Sequence, residues 1–325
     1  MDKGKFVISL DSELMWGVRD SQTKEYYGQN ILGVKPAINE MLKIFMCYNI
    51  NATFAIVGLL FHETKDEIFN NIPNVIPNYK NKKLSPYFSM NNEIGNNEQD
   101  DPYFFGSSCI TNIRQYPNHE IATHTYCHYY CMEEGQNKEQ FEQDLNKALE
   151  VALEKNISIK SIIFPRNQTN IEYLDICKKY GIKSYRGNEK GVIYSSKSYE
   201  KETVLLRILR LIDSYFNLTG YHCYDTNEIK KSYPFNIPSS RFLRPYSSKL
   251  FLLEKLKLMR IKKAMTYAAK NNLVYHLWWH PHNFGVNLEQ NIAMLNDILC
   301  HYKNLNNKYN FESITMSDLS NELIK

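Results

Sequence analysis

The chain has 325 residues, 43% of them apolar and 23% charged, which suits a globular protein with a sizeable core in one large domain or two ordinary ones. A formal net charge of only +4 gives no global reason to expect a nucleic acid partner. The longest apolar stretch, Phe54 to Phe61, is too short to cross a bilayer, and Met1 to Lys5 offers no signal region. A cytoplasmic protein is therefore expected, with its seven scattered cysteines reduced.

Phe6-Val-Ile-Ser-Leu10 is short, apolar and rich in strand formers, hence a buried strand, and it runs into Asp11-Ser12-Glu13. Acids past the carboxyl end of a parallel strand lie where α/β folds keep their chemistry; the plainer reading is a helix N-cap. Lys35 to Ile50 has apolar residues at helical spacing and Pro36 in its first turn, and Asn51 to Val57 is a second strand. Strand, helix and strand at this distance predict a βαβ unit and a parallel sheet. From about 63 to 116 the sequence turns rich in Asn, Pro, Ser and Gly, which predicts an insertion with short helices at most.

Glu120 to Thr123 is a third strand that enters His124-Thr-Tyr-Cys-His128. Histidines four apart share one face of a helical turn, close enough to grip one metal ion. A zincin is excluded, because three residues separate Glu120 from His124. Taken alone, the pair also reads as a surface helix with ordinary histidines, and Cys109, Cys127 and Cys131 nearby read as bystander thiols. Lys138 to Lys155 is an amphipathic helix, Ser161 to Phe164 a strand ending in Pro165-Arg166-Asn167-Gln168, Ile171 to Tyr180 a helix and Ile182 to Tyr185 a fifth strand. A second irregular insertion spans about 194–249. A basic helix, Leu250 to Asn271, leads to the strand Leu273 to Trp279, which ends in His280-Pro-His282-Asn-Phe-Gly285. A helix from Leu288 to Tyr302 and a terminal helix close the chain.

Four strand ends thus carry polar groups: Asp11/Glu13, His124/His128, Arg166 and His280/His282. A parallel barrel opens all such ends on one face, and this inventory suits metal-assisted hydrolysis. No serine-hydrolase elbow, P-loop or dinucleotide fingerprint occurs.

The ordered set resembles the polysaccharide deacetylase family, the NodB-homology or carbohydrate esterase family 4 group. Ser9-Leu-Asp11-Ser-Glu13 is similar to its first motif and Ala52 to Val57 to the strand that follows. His119 to His128 matches its His-Ser/Thr-x-x-His metal motif, Phe164-Pro-Arg166 its arginine motif, and Leu277-Trp-Trp-His280-Pro281 its late Leu-x-x-His-Pro motif. Ser12 separates the two acids, the second acid is glutamate, and Arg166 follows its proline; these are departures from the family pattern. Trp16-Gly17, Tyr129-Tyr130-Cys131 and Trp278 to Phe284 resemble a branch found in bacterial surface-polysaccharide gene clusters.

The resemblance implies a distorted or incomplete parallel (β/α) barrel with insertions at about 63–116 and 194–249. It implies one divalent metal, zinc by preference, on Glu13, His124 and His128, with Asp11 as general base, Arg166 holding Asp11, and His280 as general acid. His282 is read either as touching substrate or as orienting His280. The implied activity is removal of an N-acetyl or N-formyl group from a sugar, as part of a nucleotide- or lipid-linked precursor of a surface polysaccharide. A non-catalytic carbohydrate-binding scaffold and a hydrolase of a non-sugar amide are the alternatives. The expected partner is a carbohydrate, with no nucleic acid. Trp16, Tyr126 and Trp279 are expected to contact sugar, core filling being the other reading. Arg241, Arg244 and the basic helix are read either as a contact for a sugar diphosphate or the inner face of a membrane, or as a solvated face.

Overall fold

The computed structural model describes residues 3–198 and 201–325. Its centre is a nine-stranded sheet: β1 Lys5–Ser12, β2 Ala52–Ile56, β3 Glu120–Thr123, β4 Ser161–Ile162, β5 Ser184–Tyr185, β6 Phe235–Asn236, β7 Arg241–Phe242, β8 Val274–Trp279 and β9 Glu312–Ser313. The spatial order is β6-β5-β4-β3-β2-β1-β8-β7, with β9 added to the start of β1, and the paired strands are parallel. The sheet curls into an incomplete (β/α) barrel, wrapped by helices that include Val34–Tyr48, Lys138–Glu154, Phe251–Lys270 and Leu288–Tyr309.

Burial of both strand faces explains why these strands read as continuous apolar runs. The two edges are joined by one extended segment. Ile237 and Ser239 donate backbone hydrogen bonds to Tyr185 and Gly187 past β5, and Ser240 and Leu243 donate to His276 and Trp278 of β8. Residues 237–243 therefore switch partners and span the gap between β6 and β7.

Register sets the site. Leu10 is paired with Trp279, Ser12 with Ile56, Ile56 with Thr123, Thr123 with Ile162 and Ile162 with Tyr185. The residues that follow these rows, Asp11 to Glu13, His124, Arg186 and His280, hence leave the sheet at one level. Ser9, Asp11 and Glu13 are two apart, so strand alternation sends them to one side.

Two expectations are corrected and one element is added. His124 to His128 is not a helical turn but an irregular loop after β3, with Thr125 and His128 in left-handed backbone at φ 63° and 61°. The insertion at 194–249 is not wholly irregular, since Val204–Tyr215 is a 12-residue helix capped by the Thr203 side chain. The helix Lys24–Leu32 also has no counterpart in the sequence reading.

Candidate active site

Glu13 stands one residue past β1, where the chain turns through Leu14 at φ 47°. Its carboxylate folds back against Gly17: a Cβ there would lie 2.1–2.5 Å from the carboxyl carbon and both oxygens. Only glycine leaves that space. Glu13 Oε2 lies 2.9 Å from His128 Nε2 and 3.3 Å from His124 Nε2, and all three side chains are buried. Burial pushes the Glu13 carboxyl up, but His280, His124 and His128 outweigh it and hold it well below its ordinary range. Burial conversely pulls His128 down.

The loop carrying the histidines is held from outside. Both oxygens of Asp144, on the helix Lys138–Glu154, accept the Tyr126 and Cys127 N–H groups at 2.8 and 3.0 Å. The Thr125 hydroxyl accepts the Tyr129 N–H at 2.7 Å, and Gly58 donates to the Thr125 carbonyl. These bonds over-determine a backbone that a β-branched residue otherwise avoids.

His124 Nδ1 donates to the Ile163 carbonyl at 2.9 Å, which fixes the ring with Nε2 facing Glu13. One carboxylate and two imidazole nitrogens, all within 4.8 Å of one another, form a donor set suited to zinc. The residues present therefore fit a divalent metal. Glu13, His280 and His282 form a second such group, sharing the same carboxylate.

Asp11 is held by Arg186, not by Arg166. The Arg186 guanidinium, fully buried, donates to both Asp11 oxygens at 2.7 Å, to Ser9 Oγ at 3.0 Å and to Asn167 Oδ1 at 2.8 Å, and lies 4.0 Å from the Trp278 ring. Burial raises the Asp11 carboxyl, and Arg186 and His124 more than reverse that, keeping it below its ordinary range. Arg166 is corrected to a different place. Left-handed backbone at Arg166 and Asn167 turns its side chain to Asp20 and over the Tyr130 ring at 4.3 Å, and Tyr130 meets His128 edge-on.

His280 Nε2 stands 3.7 Å from both Asp11 Oδ2 and Glu13 Oε1; its Nδ1 is bonded to Asn283 Oδ1 at 3.2 Å. Its side chain is 22% exposed, the accessible member of an otherwise buried cluster. His282 is buried beneath it, rings stacked at 4.7 Å, with Nδ1 3.8 Å from Glu13 Oε1. That places it behind His280 rather than on the open face.

The three aromatics expected to touch sugar belong to the core instead. Trp16 is 2% exposed and donates to the Phe104 carbonyl, Tyr126 is bonded to His62, and Trp279 is packed on Phe45 and Phe284. Trp278, one residue earlier on β8, instead lines a cleft together with Phe242, Arg241 and Arg244. Arg241 is buried and paired with Asp213; Lys257 and Arg260 of the basic helix are buried too, on the Arg244 and Pro245 carbonyls and on Asp213. That helix is thus neither a wholly solvated face nor a free basic stripe.

Sequence reasoning missed Arg186, Asp144 and Gly17. Arg186 follows β5 as His124 follows β3, so attention to the fifth strand end would have found it. Asp144, on the apolar face between Phe141 and Leu145, was legible as a buried acid that needs partners.

No family model matches the sequence, and no curated protein matches it. Solved structures do share its fold. A protein assigned as a polysaccharide deacetylase from Mycobacterium smegmatis superposes on 100% of this chain and 91% of its own, with TM-score 0.59 and 12% identity. A Puue allantoinase matches over 98% and 89% with TM-score 0.56 and 10% identity, and a protein assigned as a polysaccharide deacetylase from Pseudomonas aeruginosa over 98% and 89% with 0.55 and 10%. At these identities the likeness is one of fold: the chain has the polysaccharide deacetylase fold.

Proposed function

We propose that this protein is a metal-dependent hydrolase that removes a short N-acyl group, acetyl or formyl, from a sugar. The observation that carries the proposal is the convergence of Glu13, His124 and His128 on one point, with Asp11 and His280 at its side. Zinc is the metal that the nitrogen and oxygen donors favour. When bound, it would polarise the acyl carbonyl and lower the pKa of the attacking water.

The chain's own residues do the remaining work. Asp11, kept ionised and aimed by Arg186, takes a proton from the water. His280 gives a proton to the departing amine through Nε2, since Nδ1 is engaged by Asn283. An amine leaves poorly without that proton, so His280 matters more for an amide than for an ester. Asn283 and the stacked His282 position the ring. Water and amide become carboxylate and amine, with the protons accounted for by Asp11 and His280.

A surface-polysaccharide precursor is the substrate class we favour, in the cytoplasm or at its membrane face. The aromatic and cationic cleft beside His280 supports a charged sugar over a small ureide. Among the described residues no helix is long and apolar enough to cross a membrane. Elemental analysis of the purified protein, paired with a screen for acetate and formate release from N-acylated sugars, tests the reading. Loss of both metal and acyl release in a His124→Ala/His128→Ala double variant is expected; metal retained at wild-type affinity would remove the site assignment.

A further inference from the structure

A cleft of ≈ 220 Å³ adjoins this site. Arg166, Lys197, Arg210, Arg241 and Arg244 line it against two carboxylates, Glu189 and Glu202. Three of the cations are engaged: Arg166 with Asp20, Arg210 with Glu202 and Arg241 with Asp213. Lys197 and Arg244 are left, and of the two only Arg244 carries a planar fork. Among the described residues its guanidinium has no ion pair, and it lies 5.8 Å from the Phe242 ring. Burial, aided by the like charges of Arg210 and Arg241, holds it below its ordinary range.

Two lining residues also carry a buried polar atom without a partner among the described residues: the indole N–H of Trp278, a residue 8% exposed, and Asn188 Oδ1. Trp278 also ties the cleft to the reaction, because its ring lies 5.5 Å from that of His280. A half-buried cation without an ion pair and a buried donor without a partner, on two residues that line the same cleft, are the complement of an oxyanion. The planar fork of arginine matches phosphate, and a cleft of this size has room for more than a lone carboxylate.

We propose that this cleft binds a phosphoryl group carried by the substrate sugar, with Arg244 as its charge partner and the Trp278 N–H as a second donor. Glu189 and Asn188 are placed to accept sugar hydroxyls. The link to deacylation rests on the function proposed above; the anion site itself does not. The phosphate has two sources, a nucleotide or a lipid carrier. The helix Val204–Tyr215, which contributes Arg210 and Ser214 to the wall, exposes Val204, Leu205, Ile208 and Ile212 outward, where a lipid chain would lie.

Inorganic pyrophosphate titrated calorimetrically into the full chain is the test. Saturable binding is expected, weakened about 10- to 100-fold by Arg244→Ala, partly recovered in Arg244→Lys, and weakened about 5-fold by Trp278→Phe, which keeps the ring and removes the donor. Unchanged binding in Arg244→Ala overturns the proposal. So does equal loss in Glu13→Ala, which would put the anion on the metal. Displacement of pyrophosphate by UDP assigns a nucleotide. Displacement by a polyprenyl diphosphate in phosphatidylcholine vesicles, lost in Leu205→Glu, assigns a lipid carrier. Displacement by glucuronate and by neither of these overturns the phosphoryl assignment. Arg244-dependent binding without acyl release would keep this site and sink the hydrolase reading; acyl release with a KM indifferent to Arg244 would do the reverse.

Discussion

Asp11 and Asp213 are both buried acids held by arginine, and they differ in what is left over. Asp213 accepts from Arg241, Arg260, the Tyr194 and Thr219 hydroxyls and the Leu218 and Thr219 N–H groups, which use up both of its oxygens. Among the described residues Asp11 accepts from Arg186 alone, one bond per oxygen, and it faces His280 across 3.7 Å. Burial raises both carboxyls, and their partners carry both below the ordinary range. The pKa direction therefore does not separate a working acid from a structural one. The spare lone pair does.

The pair of substitutions Asp11→Asn and Asp213→Asn tests this contrast and carries the largest expected effects. Asp11→Asn should lower turnover by about 10²- to 10⁴-fold with metal content kept. Asp213→Asn should cost about 3–5 kcal/mol in denaturant unfolding, because Arg241 and Arg260 stay buried without a counter-charge. If Asp213→Asn unfolds at the wild-type midpoint, the distinction is lost.

Acid sharpens the contrast next. Burial pulls His62 and His119 down to about 4 and His276 to about 3, from 6.5. A base with a depressed folded pKa is neutral in the fold and charged in the unfolded chain below pH 6.5. Stability should then fall as pH drops from 6.5 toward 4, by about 2 kcal/mol per histidine at pH 5. The two aspartates, held low, keep their contribution above the ordinary carboxylate range and lose it as pH falls through that range toward their lowered folded values. Urea midpoints that stay flat from pH 7 to 5 would mean these imidazoles are not buried neutral.

Gly17→Ala should come third. The new Cβ displaces the Glu13 carboxylate, so metal affinity falls about 10- to 100-fold while the Asp213 cluster is untouched. Unchanged affinity in a chelator competition would take Glu13 out of the ligand set. The smallest effect belongs to Trp16→Phe, which removes one buried hydrogen bond to Phe104. A loss of about 1 kcal/mol with KM unchanged is expected, and a raised KM would return Trp16 to the substrate face.

Much of the site was legible because its residues follow apolar strands. Asp11, Glu13, His124 and His280 each stand at or just past a run whose composition marks a buried strand, and parallel strands end on one face. Arg166 was misplaced for a reason no motif carries: two left-handed residues turn its side chain to Asp20. Of the cleft only Arg241 and Arg244 were marked as an anion contact, since its other walls come from positions between 166 and 278 on loops, a helix and two strand ends.

Sequence alone determined the alternation of strands and helices, because hydrophobic periodicity and turn residues act locally, and it marked which strand ends carry ionisable groups. It did not determine which arginine meets Asp11, which of two adjacent tryptophans faces the cleft, or that Glu13 folds back onto Gly17. Those depend on register across the barrel and on single backbone angles, where one residue's shift reverses a side chain's direction. Only the tertiary structure sets them.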